Sequence, residues 1–209
     1  KKKQRLDPQP ASFVCEGAVV ADADDARLAT YSASHRILLV GEGDLSFAAS
    51  LAALGGGASL TASTLDTADE VEAKNPAVQE RLAALRAAGA TIAPGVDATS
   101  MASHASIDPS YDRVVYNFPY AHVTKFAKDH LEQNRRLLRL FFAEAAKLLK
   151  PGGEVHVRNK LTEPYRSWDL HSLLPESLRF VGAAPFDPGR FPGYECRSNW
   201  GIEHRAPRA

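Results

Sequence analysis

Cysteine is nearly absent from this chain. Cys15 and Cys196 are too few for a disulfide framework and lack the paired Cys or His neighbours that zinc spacing requires. The scarcity points to a reducing, intracellular setting and to no metal centre. Long apolar runs are missing as well, since none approaches the roughly 20 residues a spanning helix needs, so no membrane partner is expected. Net charge is also absent, 25 Lys and Arg balancing 25 Asp and Glu. The balance hides an asymmetry: 10 basic against 15 acidic residues through Tyr120, then 15 against 10 from Ala121 onward. A basic surface for a polyanion is confined to the C-terminal half, where so small an excess equally suits a solvated surface.

What is present is an apolar content of 44 % in 209 residues, enough to fill the core of one compact domain. Residues 1–34 show no sustained period: KKKQR, two prolines and the acidic ADADDA predict a loose basic arm, its lysines either solvated or set against a phosphate backbone. Over residues 35–203 strand-like and helix-like patterns alternate, and 204–209 form a tail. HRILLVG is a continuous apolar run bounded by glycine, as in a strand buried on both faces of a parallel sheet. DLSFAASLAAL follows as a helix with Asp44 at its start.

SLTASTLD, ATIAPGVD, YDRVVYNFPY and GEVHVRNK predict further strands. Two helical stretches separate them: ADEVEAKNPAVQERLAALRAAG, divided at Asn75-Pro76 and stopped by Gly89, and LEQNRRLLRLFFAEAAKLLKPGG, ended by Pro-Gly-Gly. In the second, Leu137, Phe141, Ala145 and Leu148 recur on one face. YRSWDLHSLL predicts a helix, and SLRFVGAAPF and YECRSNWGI a hairpin-like pair of strands closing the sheet. The alternation describes an α/β domain, a mostly parallel sheet with helices on both faces, whose ligands lie outside the carboxyl ends of the strands.

The first strand exit, Gly41-Glu42-Gly43-Asp44, must pass close to whatever lies above the sheet, and glycine removes the Cβ that would block the backbone or a ligand. The third glycine of a dinucleotide fingerprint is lacking, Ser46 standing in its place. Asp66, 23 residues after Gly43, exits the second strand where a carboxylate accepts from ribose hydroxyls, and Asp97 exits the third where it accepts from an adenine amino group. Either aspartate alone suits a cap or loop; together they favour an adenosine-containing ligand. Glu42 and Asp44 crowd the turn with negative charge, which disfavours a pyrophosphate and suits a cationic ligand. S-adenosylmethionine fits, and nicotinamide chemistry is the weaker alternative.

Asn117-Phe118-Pro119-Tyr120 exits the fourth strand and resembles the Asn/Asp-Pro-Pro-Tyr signature of methyltransferases acting on base nitrogens; in isolation it also suits a buried strand end with a proline stop. Taken with ILLVGEGDLSF, Asp66, GVDAT, NRRLLRLFF, GEVHVRNK, PYRSW and FPGYE in order, it makes the chain, from about Arg36 to Gly201, resemble the Rossmann-like family of eukaryotic large-subunit rRNA uridine-N3 methyltransferases known from the yeast 25S enzyme. The resemblance implies a class I S-adenosylmethionine-dependent methyltransferase fold, seven strands with the last antiparallel, and methyl transfer to N3 of a uridine. It implies the pre-ribosomal large subunit as partner and the nucleus or nucleolus as location, with the mitochondrion as alternative. Tyr120 departs from the family's Asn-Phe-Pro-His, and Leu39 holds a place where many class I enzymes carry an acidic residue. Two other readings stay open: a methyltransferase-fold RNA-binding or ribosome-assembly factor with weak or no turnover, and a small-molecule methyltransferase. Oligomeric state has no signature in the sequence.

On the enzyme reading, Asn117 and the Phe118 carbonyl orient the base edge, Pro119 fixes the turn, and Tyr120 stacks on the base or hydrogen-bonds it. His122 or Lys160 assists as charge develops, His122 being equally suited to a surface or helix start. Arg158 and Lys160, at the fifth strand exit, are candidates to meet RNA phosphate or to form a solvated edge. Tyr165 and Trp168 stand at helical spacing, for core packing or base stacking.

Overall fold

The computed structural model describes residues 11–17, 31–121, 129–160 and 162–194, of which 11–17 and 184–185 are described as backbone only. Strands β1 (Ala11–Gly17), β2 (Ile37–Val40), β3 (Leu60–Ser63), β4 (Thr91–Ala93), β5 (Tyr111–Asn117), β6 (Leu149–Asn159) and β7 (Leu178–Pro185) form one sheet in the order β4-β3-β2-β5-β6-β1-β7. The run from β4 to β6 is parallel throughout. Helices α1 (Ser46–Leu51), α2 (Ala68–Glu72), α3 (Pro76–Ala87) and α4 (His130–Leu148) connect them.

Alternation along each strand sends side chains to two cores. Leu38, Val40, Val114, Val155 and Val157 meet Leu138, Phe141, Phe142, Ala145 and Leu148 of α4, while Ile37, Leu39 and Val115 meet Phe47 and Leu51 of α1 and Leu82 and Leu85 of α3. This is why ILLV reads as an unbroken apolar run: all four residues are buried, two against each layer. The chain leaves β2 toward β3 on one side, and β5 joins β2 on the other, so the crevice at the carboxyl ends of β2 and β5 is the switch point. No helix among the described residues is long and apolar enough to cross a membrane.

The break at Asn75-Pro76 holds: the Asn75 side chain caps α3, accepting from Val78 N, and Pro76 opens it. Four expectations change. The loose arm does not hold at Ala11–Gly17, which pairs antiparallel with both β6 and β7. The antiparallel strand is therefore the first of the chain, filling the gap between β6 and β7, and YECRSNWGI lies outside the described residues beyond Tyr194. α4 stops at Leu148, and Pro151-Gly152-Gly153 falls inside β6, where the register shifts between the Tyr111–Leu149 and Arg113–Glu154 pairs. A Cβ on Gly153 would stand 2.9 Å from the Tyr111 carbonyl oxygen, so this close approach needs glycine. YRSWDLHSLL forms two 3₁₀ turns, Tyr165–Trp168 and Leu170–Leu173, because Asp169 between them has φ +45° and Arg135 Nη1 takes the Trp168 carbonyl.

Candidate active site

The turn after β2 is built around Gly41. Its φ is +71°, and a Cβ there would lie 2.6 Å from Cε2 of Tyr116 on β5, so both backbone and space demand glycine. Gly43 differs: a Cβ added there meets nothing within 4 Å. Asp44 fastens the start of α1, its Oδ1 accepting from Ser46 N at 3.0 Å and its Oδ2 facing Arg81 Nη1 at 3.3 Å. The Glu42 carboxylate turns inward, accepting from Ala48 N at 3.1 Å. Burial pushes its pKa up to about 7, with the Asp44 charge adding and the Ala48 bond opposing.

Asp66 lies just past β3, and its carboxylate accepts from Thr64 Oγ1 at 2.8 Å and from Lys74 Nζ at 2.5 Å. Lys74 also donates to the Gly43 carbonyl, binding the first two strand exits together. Asp97, exposed beyond β4, accepts through Oδ1 from Thr99 N and Thr99 Oγ1. Tyr116 joins these loops. It is paired in register with Val40, packs its ring 5.1 Å from that of Phe141, and has its phenol pushed up to about 12 by burial and then by the charge of Asp97. Only its place in a strand, one residue before the NFPY motif, could have marked it in the sequence.

Asn117 ends β5 beside that turn. Phe118 follows with φ +51°, held there as its N–H donates to the Arg158 carbonyl at 3.0 Å. Pro119 is buried. The Tyr120 hydroxyl hydrogen-bonds His130 Nε2 at 2.9 Å, and Ala121 N donates to Asn134 Oδ1 at 3.0 Å, so the motif is anchored on the first turns of α4. His122 lies outside the described residues.

Arg158 overturns an expectation: it does not meet phosphate, being only 1 % exposed. Its guanidinium lies 4.0 Å from the ring centroid of Phe186, 4.2 Å from Phe47, 5.2 Å from Phe191 and 5.6 Å from Tyr31. Nη1 donates to Asn117 Oδ1 at 2.5 Å and Nη2 to Tyr31 Oη at 3.0 Å. Phe191 comes from the FPGYE motif and Tyr31 from the stretch expected to be loose, so both wall this cage. Of the two readings of Trp168, core packing holds and base stacking on RNA does not, since it is fully buried. Lys160 and Tyr165 stay half-exposed at the exit of β6, the Lys160 ammonium 5.5 Å from the Tyr165 ring. No group of three or more His, Cys, Asp or Glu among the described residues could hold a metal ion.

The sheet thus sets the glycine turn, Tyr116, Asn117 and Arg158 on neighbouring strand ends, with Asp66 and Asp97 on the two outer exits. A family model described as "rRNA (uridine-N3-)-methyltransferase BTM5-like" matches residues 38–198. The chain belongs to this family. Its fold is the class I S-adenosylmethionine-dependent methyltransferase fold, in which five parallel strands carry the β4-β3-β2-β5-β6 order. Among relatives, Arabidopsis thaliana "Heavy metal-associated isoprenylated plant protein 41" is 40 % identical over 170 residues, covering 79 % of this chain and 33 % of that protein. Arabidopsis thaliana At4g26485 is 34 % identical over 171 residues, covering 78 % and 82 %. The chain therefore spans about a third of the first relative and most of the second. TrmN from Thermus thermophilus shares 24 % identity over 68 % of this chain and 36 % of its own, with a TM-score of 0.45.

Proposed function

We propose that the chain is an S-adenosylmethionine-dependent RNA methyltransferase acting on N3 of a uridine in large-subunit rRNA. The observation that carries this reading is the placement of an open glycine turn at the end of β2 beside the Asn117 carboxamide at the end of β5. Membership of the uridine-N3 family supports the reaction class and the base. Features of the first strand exits support the methyl donor: Gly43 leaves room for it, and on this reading Asp66 accepts from ribose hydroxyls, Asp97 accepts from an adenine amino group, and Asp44 suits positive charge, Glu42 being turned inward. Bound there, S-adenosylmethionine supplies an electrophilic methyl group.

The protein's own work is alignment and charge handling. Asn117 and the Phe118 carbonyl grip the base edge, and a donor–acceptor approach of about 3–3.5 Å is what such rigid strand-end positions deliver. Uracil N3 carries a proton and is a poor nucleophile until it leaves, so the site must stabilise negative charge on the ring. Tyr120, tethered to His130, supplies a wall of the base pocket, and Lys160 with Tyr165 extends it toward RNA. On this reading the protein works where large-subunit rRNA matures, the nucleolus, with the mitochondrion as alternative.

Nucleoside mass spectrometry of rRNA from cells with and without the protein tests this directly. Loss of one N3-methyluridine without the protein is expected; an unchanged nucleoside profile, together with no heat of S-adenosylmethionine binding in titration, would sink the enzyme reading in favour of a non-catalytic RNA-binding module.

A further inference from the structure

Among the described residues Arg158 is the largest buried charged side chain, and a cage of Tyr31, Phe47, Phe186 and Phe191 gives it little hydrogen bonding. Its Nε meets no acceptor, which leaves Asn117 Oδ1 and Tyr31 Oη as the side-chain acceptors of the guanidinium. A buried cation so placed holds its acceptors hard, because any lost bond leaves desolvated charge unpaired. A guanidinium is all donor. The atom of the Asn117 carboxamide that meets it must be the oxygen, so chemistry settles an orientation that heavy-atom positions alone leave ambiguous. Nδ2, with both N–H groups, takes the other direction, and it has no partner among the described residues. The main chain repeats the clamp, since the Arg158 carbonyl accepts from Phe118 N.

We propose that Arg158 is a positioning residue that locks Asn117 as a hydrogen-bond donor toward the base, so that the site requires a carbonyl beside the reacting nitrogen. The inference rests on the methyltransferase reading above. When the N3–H bond breaks and its proton leaves to solvent, the electron pair spreads onto the flanking oxygens. Nδ2–H donates to one of them, polarised by the guanidinium on the far side of the same amide. The N3–CH₃ bond then forms as the S–CH₃ bond breaks. An exocyclic amine in place of that carbonyl would set N–H against N–H, which rejects it.

The test uses the intact protein, S-adenosylmethionine and an RNA oligonucleotide carrying the target uridine or its 2-thio or 4-thio analogue, sulfur being the weaker acceptor. R158M keeps the cage apolar and filled, R158K restores a charged donor, and N117D turns the inward-held amide into an acceptor. The wild type is expected to lose about tenfold in kcat on one thio analogue relative to the other, and R158M to lose that difference along with about tenfold in kcat on uridine, with KM for S-adenosylmethionine unchanged. R158K should recover part of both, and N117D should lose on the order of 10²-fold with its melting temperature retained. The side-chain amide resonance of Asn117, identified by its loss in N117D, should be single in the wild type and broadened or doubled in R158M. An identical thio-analogue ratio in wild type and R158M, or an Asn117 amide resonance unmoved in R158M, overturns the proposal. If the wild type methylates no RNA, the functional reading falls instead, and the resonance alone decides whether Arg158 holds the amide.

Discussion

Lys74 donates from one ammonium group to the main-chain carbonyl of Gly43 and to the carboxylate of Asp66, tying the glycine turn of β2 to the exit of β3. The pair is partly open to solvent, with 23 % and 37 % of the two side chains exposed, so its worth to folding is below about 1 kcal/mol. On the proposed reading, its role is to hold Asp66 where a ribose would lie. D66A should therefore leave stability within about 1 kcal/mol of wild type while weakening S-adenosylmethionine about tenfold or more, as expected for lost hydrogen bonds to a charged acceptor. Calorimetric titration beside a denaturant melt measures both. Unchanged affinity would remove Asp66 from the donor site.

The two glycines of the turn should separate under the same substitution. At Gly41 an alanine meets both a left-handed φ and the Tyr116 ring, and a cost of about 1–3 kcal/mol is expected. At Gly43 the added methyl enters open space, so G43A should melt like the wild type and show its defect in donor binding alone. Urea denaturation and titration of both variants decide this, and a G43A that binds S-adenosylmethionine normally would show that the space above Gly43 is not where the donor lies.

Glu42 should mark the stability of the protein with a pH signature. Its pKa is about 7 when folded against an ordinary 4.5, burial being the main cause. Between those values the folded state binds a proton that the unfolded state does not, so this group's contribution to stability falls as pH rises from 4.5 to 7 and then levels. The full penalty above pH 7 is about 3 kcal/mol. E42Q keeps an acceptor for Ala48 N without the charge, so its stability advantage over wild type should grow across that window and then plateau. His156 slopes the other way: burial lowers its pKa from 6.5 to about 4, and stability is lost as pH falls through that range. In E42Q this acid-side loss should remain, together with those of His35, Asp112 and Glu154, whose pKa values are also lowered in the fold. A pH-independent difference between E42Q and wild type would disprove the buried, protonated state of Glu42.

How much of this the sequence discloses depends on whether the cause is local. Ile37–Val40 is buried from both layers and so writes a continuous apolar run; Asn75-Pro76 is a cap and first helical residue and so writes its own boundary. The Ala11–Gly17 strand is short, flanked by charge and proline, and paired only with strands more than 130 residues on, so no period announces it. Arg158 misleads for the same reason. In VHVRNK it has the look of a solvated strand end, yet its cage is assembled from Tyr31, Phe47, Phe186 and Phe191, positions that only the folded sheet brings together. Trp168 reads as a spaced aromatic whichever way it points, and the fold sends it inward.

Beyond the end of β6, Trp168 and Lys160 carry opposite expectations. Trp168 sits in the α4 core with Tyr165 at 5.1 Å between ring centroids, so W168A should cost about 3–5 kcal/mol of folding stability without altering the salt dependence of RNA binding by the protein that remains folded. Lys160 is half-exposed, its ammonium against the Tyr165 ring and in no ion pair among the described residues. If it neutralises one phosphate, K160A should weaken RNA of every sequence alike and reduce the slope of log affinity against log salt by about 0.7–0.9, the counterion release of a single contact. Fluorescence anisotropy with a labelled RNA across a salt series reads the slope directly. A K160A protein with the wild-type slope would place the RNA path elsewhere than the end of β6, whatever its effect on turnover.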